Sequence, residues 1–428
     1  MNANHGTVLV TGASGFLAGF IIAGLRDAGW KVVRALRSSS TAATDERRCD
    51  FLELSEEDCV NLLQGVDAVV NVAGILREPR VGDFDRIHHD APLRLAMQCV
   101  AHGVSIFIQI SALGKPEDGE FIASKQRFDV ALLALPLRAV VLRPSVVYST
   151  AGSYGGTSML RAMAATPAVT ALPGDGQWPL QPVAAEDLAQ LVLRALQRPI
   201  RGCFEVGGPE VLSLREYQTQ WRHWLGLPTA WALPVPVSLV KSFVSVGELV
   251  GRGPMGRTMW RMLRRGNVTA TDAGQRLQEH FEFSPRRLID VLAARPSQTQ
   301  DRWQAQLYFL APALQVCVVG LFLLSAWVGW FTPAAQIERL TAGSLLESLA
   351  PVPLARAAAA LDLLLGLGLL VARLQRQVIV GMLGLVGVYT LTFGLLLPGL
   401  WLDPLGGLAK NLVVLPALAI LWVLAERR

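Results

Sequence analysis

Paired cysteines are missing from this sequence. Its five cysteines, Cys49, Cys59, Cys99, Cys203 and Cys317, form no C-x-x-C pair. An odd, unpatterned set argues against a disulfide framework and against a thiolate zinc site, so no metal is expected. The opening MNANHGTVLV has no long apolar core, so no signal peptide is expected and the soluble part should stay in a reducing, cytosolic compartment. Charge is sparse, at 17% of residues against 52% hydrophobic. Acids run short in one place: between Gly251 and Gln300 nine arginines face four acids. That basic excess stands just before the most hydrophobic region and suits an anionic lipid surface. No nucleic-acid motif is present, and no nucleic-acid partner is expected. Tyrosine occurs only five times, as Tyr148, Tyr154, Tyr217, Tyr308 and Tyr389.

What the chain has in plenty is apolar sequence, unevenly spread. The first 300 residues have globular character. From Trp303 to Ile337 there is no charge, and the run 307–331 exceeds the roughly 20 residues needed to span a bilayer. Further runs at about 354–372, 378–400 and 408–425 predict four spans in all. Trp327, Trp330 and Trp401 fall near the ends of these runs, as an aromatic belt would place them. Arg373 and Arg376 separate spans two and three, and Arg427 and Arg428 close the chain. With the basic segment before span one, they predict both termini on the cytoplasmic side of an inner membrane. The outer loops carry Glu338, Glu347 and Asp403. Asp362 lies within the second span, where an acid is costly and usually has a partner or a role; Lys410 is a candidate partner.

The amino-terminal end has a different grammar. In TVLVTGASGFLAGF a run of β-formers meets a glycine turn, and an apolar helix pattern follows from Phe16 to Leu25. Gly12 allows the tight turn, and Gly15 lets backbone amides approach a pyrophosphate, with Ser14, Phe16 and Leu17 at the helix start. Ala18 takes the third position, where only close helix–strand packing is needed. Strand before and helix after make this a dinucleotide fingerprint. The second strand, WKVVRALRSSS, ends where an NAD binder would place an acid for the ribose hydroxyls. It offers Arg34, Arg37 and three serines instead. Arginine pairs with a 2′-phosphate, so NADP(H) is expected over NAD(H). Asp50 is expected beside the adenine, and VDAVVNVAG is expected to be a buried parallel strand that brings Ala73 and Gly74 to the cofactor.

Together these segments resemble the short-chain dehydrogenase/reductase superfamily, and more narrowly its extended and atypical branch, which includes the nucleotide-binding accessory subunit of respiratory complex I. The resemblance covers residues 7–225 and rests on TGASGFLA, NVAG, GVSIFIQISALGK, FIASK, LRPSVVY, LPGDGQWPLQPVAAEDLA and CFEVGGPEVLSLREY. It implies an α/β fold, a doubly wound parallel Rossmann sheet with a small substrate lobe. It also implies a catalytic serine at Ser111, a ribose-binding lysine at Lys125 and a nicotinamide-side turn at Pro144 and Ser145. The family's tyrosine belongs four residues before the lysine, and there stands Phe121. A phenol beside an ammonium can supply a proton to a reduced carbonyl; a phenyl ring cannot. The membrane end resembles the DoxX-like family, an all-α four-helix domain.

The expected organisation is therefore residues 1–230 as the Rossmann domain and 231–302 as the rest of the lobe, a basic amphipathic segment and a linker. Residues 303–428 follow as the membrane domain. Tyr154, and less readily Tyr148, is a candidate substitute acid. His88 and His89 are expected to be helix caps or surface groups, and Glu186 and Asp187 first-turn acids placed by the helix dipole. The segment 248–267 either lies on lipid or forms a surface helix of the lobe. Two functions compete: an NADP(H)-binding, sensing or assembly module with a membrane-protein partner, and an NADP(H)-dependent oxidoreductase acting on a lipid-like or quinone-like substrate.

Overall fold

The structure is a computed structural model that describes residues 6–38, 44–249, 256–402 and 407–425. Ser39, Ser40, Asp403, Arg427 and Arg428, to which the sequence assigns roles, lie outside these residues, as does the 250–255 part of the segment before the basic helix.

Val8, Leu9 and Val10 of β1 (Thr7–Thr11) are fully buried. A strand buried on both faces reads as a continuous apolar run, and such strands pair in parallel under helices. The sheet has seven strands, in the order β7-β6-β5-β4-β1-β2-β3. They are β1, β2 (Lys31–Leu36), β3 (Glu46–Arg48), β4 (Ala68–Asn71), β5 (Ile106–Ile110), β6 (Arg138–Pro144) and β7 (Gly202–Val206). All the pairings are parallel. The order reverses at β1, whose neighbours are β4 on one side and β2 on the other. The crevice at the carboxyl ends of β1 and β4 is thus the topological switch point, where such sheets bind ligands. One apolar layer packs helices Phe16–Asp27, Ala185–Gln197 and Ala273–Phe281 against one face, with Ile21, Leu25, Leu188, Val192 and Phe281 at its centre. The other layer holds helices Glu56–Leu63, Ala91–Ala101 and Glu120–Ala134, through Leu62, Leu95, Phe128 and Leu132.

Residues beyond the sheet build the lobe. The strand Val169–Pro173 pairs in parallel with Trp231–Val235, and helices Gly155–Ala164 and Leu214–Trp224 pack together beside it. The segment 256–265 forms a helix, Arg257–Arg265, which buries Trp260 and Leu263. Trp260 meets Trp178 at 4.9 Å, and Arg265 pairs with Asp118 at 3.0 Å. The basic segment is thus a helix of the lobe. The linker 294–302 is also held to it: Trp224 Nε1 donates to Arg295 O at 2.6 Å, and Arg302 Nε to Leu225 O at 2.9 Å.

The chain divides into two compact units, Met1–Ala305 and Gln306–Arg428. In the second, Val318, Phe322, Ile379, Met382 and Leu418 form an apolar core. Among the described residues, three helices are long and apolar enough to cross a membrane: Thr299–Phe331, Pro351–Gly368 and Gln375–Leu396. The fourth expected span is the helix Asn411–Leu424. Its 14 residues reach about 21 Å at about 1.5 Å each, short of a core of about 30 Å. Asp362 is buried, and its partner is Ser325, whose Oγ donates to Oδ2 at 2.6 Å; among the described residues no ion pair joins it to Lys410.

Candidate functional site

The glycine loop opens the site. Gly12 has φ +63°, and a β-carbon there would come 2.7 Å from Ala73 Cα. That close approach of backbone to backbone, at the switch point, is why the position is glycine. Gly15 precedes the helix, and its amide donates to Gly12 O at 2.9 Å. The amides of Phe16 and Leu17 that follow have no helical acceptor, so the loop ends in donors suited to a pyrophosphate. A buried polar row ties the strand ends together beneath it: Thr11 Oγ1 donates to Asn71 Oδ1 at 2.5 Å, and Asn71 Nδ2 to Gln109 Oε1 at 2.7 Å. These residues fit a bound dinucleotide, which would lie over Gly12 and Gly15 and run along Ala73 and Gly74.

At the ribose end the two arginines part company. Arg34 is held by Glu46 at 2.6 Å and Asp45 at 3.4 Å, so it is not free to clamp a phosphate. Arg37 is exposed just past the end of β2. Arg48, also exposed, belongs to β3, where it stands opposite Leu36. The pairing of β2 with β3 that brings Arg48 beside the end of β2 is not written in either strand. Asp50 Oδ1 accepts from the Leu52 amide at 3.0 Å, an Asx turn that fixes the loop beyond β3.

At the nicotinamide end, Phe121 and Lys125 lie one turn apart on helix Glu120–Ala134, and the Lys125 ammonium stands 5.9 Å from the Phe121 ring centre. Lys125 is buried, donates to Ile110 O at 3.2 Å, and would lie 3.3 Å from a β-carbon on Gly74. Burial lowers its pKa to about 8, against the opposing pull of Asp129. Ser111 does not face open space. Its Oγ donates to Asp129 Oδ2 at 2.8 Å, and Arg143 Nε donates to the same oxygen at 2.8 Å. The hydroxyl's one proton is thus occupied. Asp129 is fully buried, and its Oδ1 has no hydrogen-bond partner. It sits four residues after Lys125, one turn on along the same helix face, a spacing the sequence displays. Ser145 Oγ donates to Gln181 O, and Pro144 O accepts from the Leu113 amide at 3.0 Å.

His88 departs from expectation most. It is neither a cap nor a surface group but is buried against this cluster, in a π-helical turn, Arg86–Asp90, that runs into helix Ala91–Ala101. Its ring meets Phe121 edge-on at 5.6 Å and Phe84 at 5.3 Å. The Ile75 amide donates to Nε2 at 3.0 Å, while Nδ1 bonds Ser124 Oγ at 2.9 Å. Ser124 Oγ in turn donates to Glu120 O at 2.7 Å, so the imidazole proton sits on Nδ1. Burial, then the Lys125 charge, drive the His88 pKa down to about 2. With both nitrogens engaged, the neutral ring fixes the loop after Gly74 and supplies no proton. His89, partly exposed, bonds Asp90 at 2.8 Å.

The substitute acids fare no better. Tyr148 is buried, packs edge-on against Trp221 at 5.9 Å, and burial raises its pKa. Tyr154 is exposed and stacks on Phe16 at 6.3 Å, over the start of the cofactor helix. Glu186 accepts from Ser149 Oγ at 2.6 Å, and Asp187 from Arg286 Nε at 2.8 Å, so these first-turn acids hold specific partners as well as a favourable dipole. No cluster of three metal-ligating side chains occurs among the described residues.

Comparison with known proteins gives two separate matches. Residues 8–207 match the NAD dependent epimerase/dehydratase family, and residues 319–422 the DoxX-like family. A ceramide reductase of Caulobacter vibrioides is 24% identical over 208 residues, which are 47% of this chain and 64% of that protein. The match thus spans less than two thirds of that relative's length. Among solved structures, MoeE5 in complex with UDP-glucose and NAD shares 22% identity at a TM-score of 0.51, over 70% of this chain and 98% of its own. A UDP-glucuronic acid 4-epimerase from Bacillus cereus in complex with NAD shares 19% at 0.51, over 71% and 99%. At these identities the structures share the fold.

Proposed function

We propose that this chain, an epimerase/short-chain-dehydrogenase-type Rossmann domain joined to a DoxX-like membrane domain, binds NADP(H) at the membrane and works as a redox-linked binding, sensing or assembly module. The observation that carries this is Phe121. It occupies the place of a proton-donating phenol, and the neighbouring Ser111 and His88 are engaged elsewhere, Ser111 with Asp129 and His88 with Ile75 and Ser124. The cofactor cradle of Gly12, Gly15, Ala73 and Gly74 is retained all the same. Lys125 would grip ribose hydroxyls from its buried position. Arg37 and Arg48 would take the 2′-phosphate that distinguishes NADPH. When bound, such a cofactor supplies a hydride. The chain's own residues bind and orient it and leave it without an acid.

A second reading, an NADP(H)-dependent reductase of a lipid-like or quinone-like substrate, is favoured by one likeness, the ceramide reductase. A quinone is less dependent on a tyrosine for its proton. The proposed location is an inner membrane, with the Rossmann domain and both termini on the cytoplasmic side. The test is titration of the purified protein with NADPH and NADH, followed by NADPH oxidation with quinones, ceramide-like ketones and aldehydes. Tight NADPH binding without turnover supports the module. Turnover of one substrate class replaces it with the reductase, and failure to bind either nucleotide refutes both.

A further inference from the structure

The lobe carries a stretch that a water-exposed protein surface does not explain. In the strand Trp231–Val235, Trp231 is 84% exposed and Leu233 53%. The helix that follows, Val237–Leu249, exposes Leu239 at 48% and Phe243 at 68%, one turn apart, while Val244 is buried. Exposed apolar side chains scattered singly need no explanation, but four in one short, continuous segment do. Basic residues accompany them. Lys241 is exposed on the same helix. The next helix, Arg257–Arg265, packs against it and has four arginines and no acid in nine residues. Its apolar side, Trp260 and Leu263, is buried in the lobe; Arg261 and Arg265 reach back to Asp118, while Arg257 and Arg264 are exposed.

We infer that this strand and these two helices form a membrane-docking surface, seated on a bilayer face that carries anionic lipid. This rests on the membrane-anchored reading above and adds the contact by which the lobe meets lipid. The chain itself argues for that occupant. Arg302 is fixed to the lobe at Leu225 O, and the uncharged run that leads into the first span begins at the next residue, Trp303. In sequence, the lobe's tie at Arg302 and the start of the bilayer-length uncharged run are thus adjacent. A tryptophan at an exposed apolar edge and cationic side chains beside it are the chemistry of an interfacial segment. Each lysine or arginine near an anionic surface adds about fivefold to binding.

The docking surface continues into the rim of the candidate site. A β-carbon on Gly119, the residue before helix Glu120–Ala134, would collide with Thr258 Oγ1 at 2.5 Å. One on Gly156, two residues after Tyr154, would meet Met259 Sδ at 2.6 Å. The basic helix thus packs against the start of the helix that carries Phe121 and against the start of helix Gly155–Ala164. Seating it on lipid brings the start of the Phe121 helix toward the headgroup layer, where an amphiphile's polar end lies.

The test uses the full-length protein in nanodiscs, with Cys317 replaced by Ser and an environment-sensitive fluorophore on Phe243→Cys or Leu233→Cys. Met97→Cys, on the exposed side of helix Ala91–Ala101, is the control. In discs containing phosphatidylglycerol, the first two probes should be quenched by nitroxide-bearing lipid and protected from aqueous iodide, and the control should show the reverse. Lys241→Glu with Arg264→Glu should abolish that protection. Probes at 243 and 233 as open to iodide as the probe at 97 overturn the inference. So does protection that persists in detergent and scales with protein concentration, which would mean a second copy covers the face. NADPH affinity measured on the same samples separates the two claims. Loss of docking with nucleotide binding intact sinks only this inference, and docking without nucleotide binding sinks only the proposed function.

Discussion

Replacing Phe121 by tyrosine adds one oxygen to a ring whose surroundings are already set. The ring is half-buried, edge-on to His88 at 5.6 Å and to Phe84 at 6.2 Å. Because one side is open, the new hydroxyl reaches water or a bound carbonyl, and the substitution should cost less than the about 1–3 kcal/mol of an unsatisfied buried hydroxyl. Lys125 stands close to that ring with its pKa lowered to about 8. In its ammonium form it would draw the phenol toward ionisation. A positioned general acid contributes about 10²- to 10⁴-fold, or about 3–5 kcal/mol of barrier at 1.36 kcal/mol per decade. The expected gain therefore exceeds the expected cost. The assay is NADPH oxidation by parent and Phe121→Tyr with a panel of aldehydes and ketones, with NADPH affinity measured alongside. The variant should bind NADPH as the parent does and reduce at least one carbonyl at least tenfold faster. Equal, robust turnover by the parent would refute the reasoning, since another group would then supply the proton. A variant that binds but gains nothing would show that the space above residue 121 does not hold a carbonyl.

Four further outcomes follow from the same geometry. Arg37→Asp should lower NADPH affinity by about tenfold or more, the scale of one lost charge-assisted contact, and shift preference toward NADH; equal affinity of the parent for both nucleotides would remove the role of this arginine. Arg34→Ala should leave nucleotide preference unchanged, because Glu46 and Asp45 already hold that side chain; isothermal titration decides. Gly12→Ala should abolish nucleotide binding, since φ is +63° and the β-carbon would meet Ala73; binding at parental strength would refute the close approach. In a topology assay, a reporter after Arg428 should be cytoplasmic and one near Ser344 exported; the reverse pattern would overturn the arginine argument.

Much of the fold was legible because it depends on local pattern. Val8 to Val10 and Ala68 to Val70 are apolar on both faces, which only a buried parallel strand requires, and the glycine turn at Gly12 marks the switch point between them. The membrane helices were legible for the same reason, as uncharged length. The fourth fell short because apolar composition does not reveal where a helix starts, and at Lys410 the chain is still turning. The partners of Arg34 and Ser111 were not legible because each is distant in sequence. Arg34 stands across a strand pair from Glu46, and Ser111 faces an acid 18 residues away. His88 was hidden by composition, since a histidine in a helix start usually caps it, whereas an extra residue in the turn rotates this one inward.

Lys125 offers a way to test the cluster without any substrate. Its folded pKa of about 8 lies below the ordinary 10.5, and burial is the larger cause. A buried lysine held below its unfolded pKa binds fewer protons when folded than when unfolded, so between about pH 8 and pH 10.5 stability rises with pH. Below pH 8 both states are protonated and the burial penalty is present in full. Above 10.5 it is gone. The full swing is up to about 3 kcal/mol for a shift of this size. Buried Cys49 and Cys99, with pKa values raised to about 12, push the other way above pH 9, so the informative quantity is the difference between parent and Lys125→Met. That difference should favour the methionine variant at pH 7 and shrink steadily toward pH 10, read from thermal unfolding of the soluble unit's signal in detergent. A difference that stays constant over this range would mean that Lys125 is ionised in the folded state throughout. Asp129, whose Oδ1 lacks a hydrogen-bond partner, would then be the group that holds it so, and the lysine would be bound to its own helix rather than poised for a ribose.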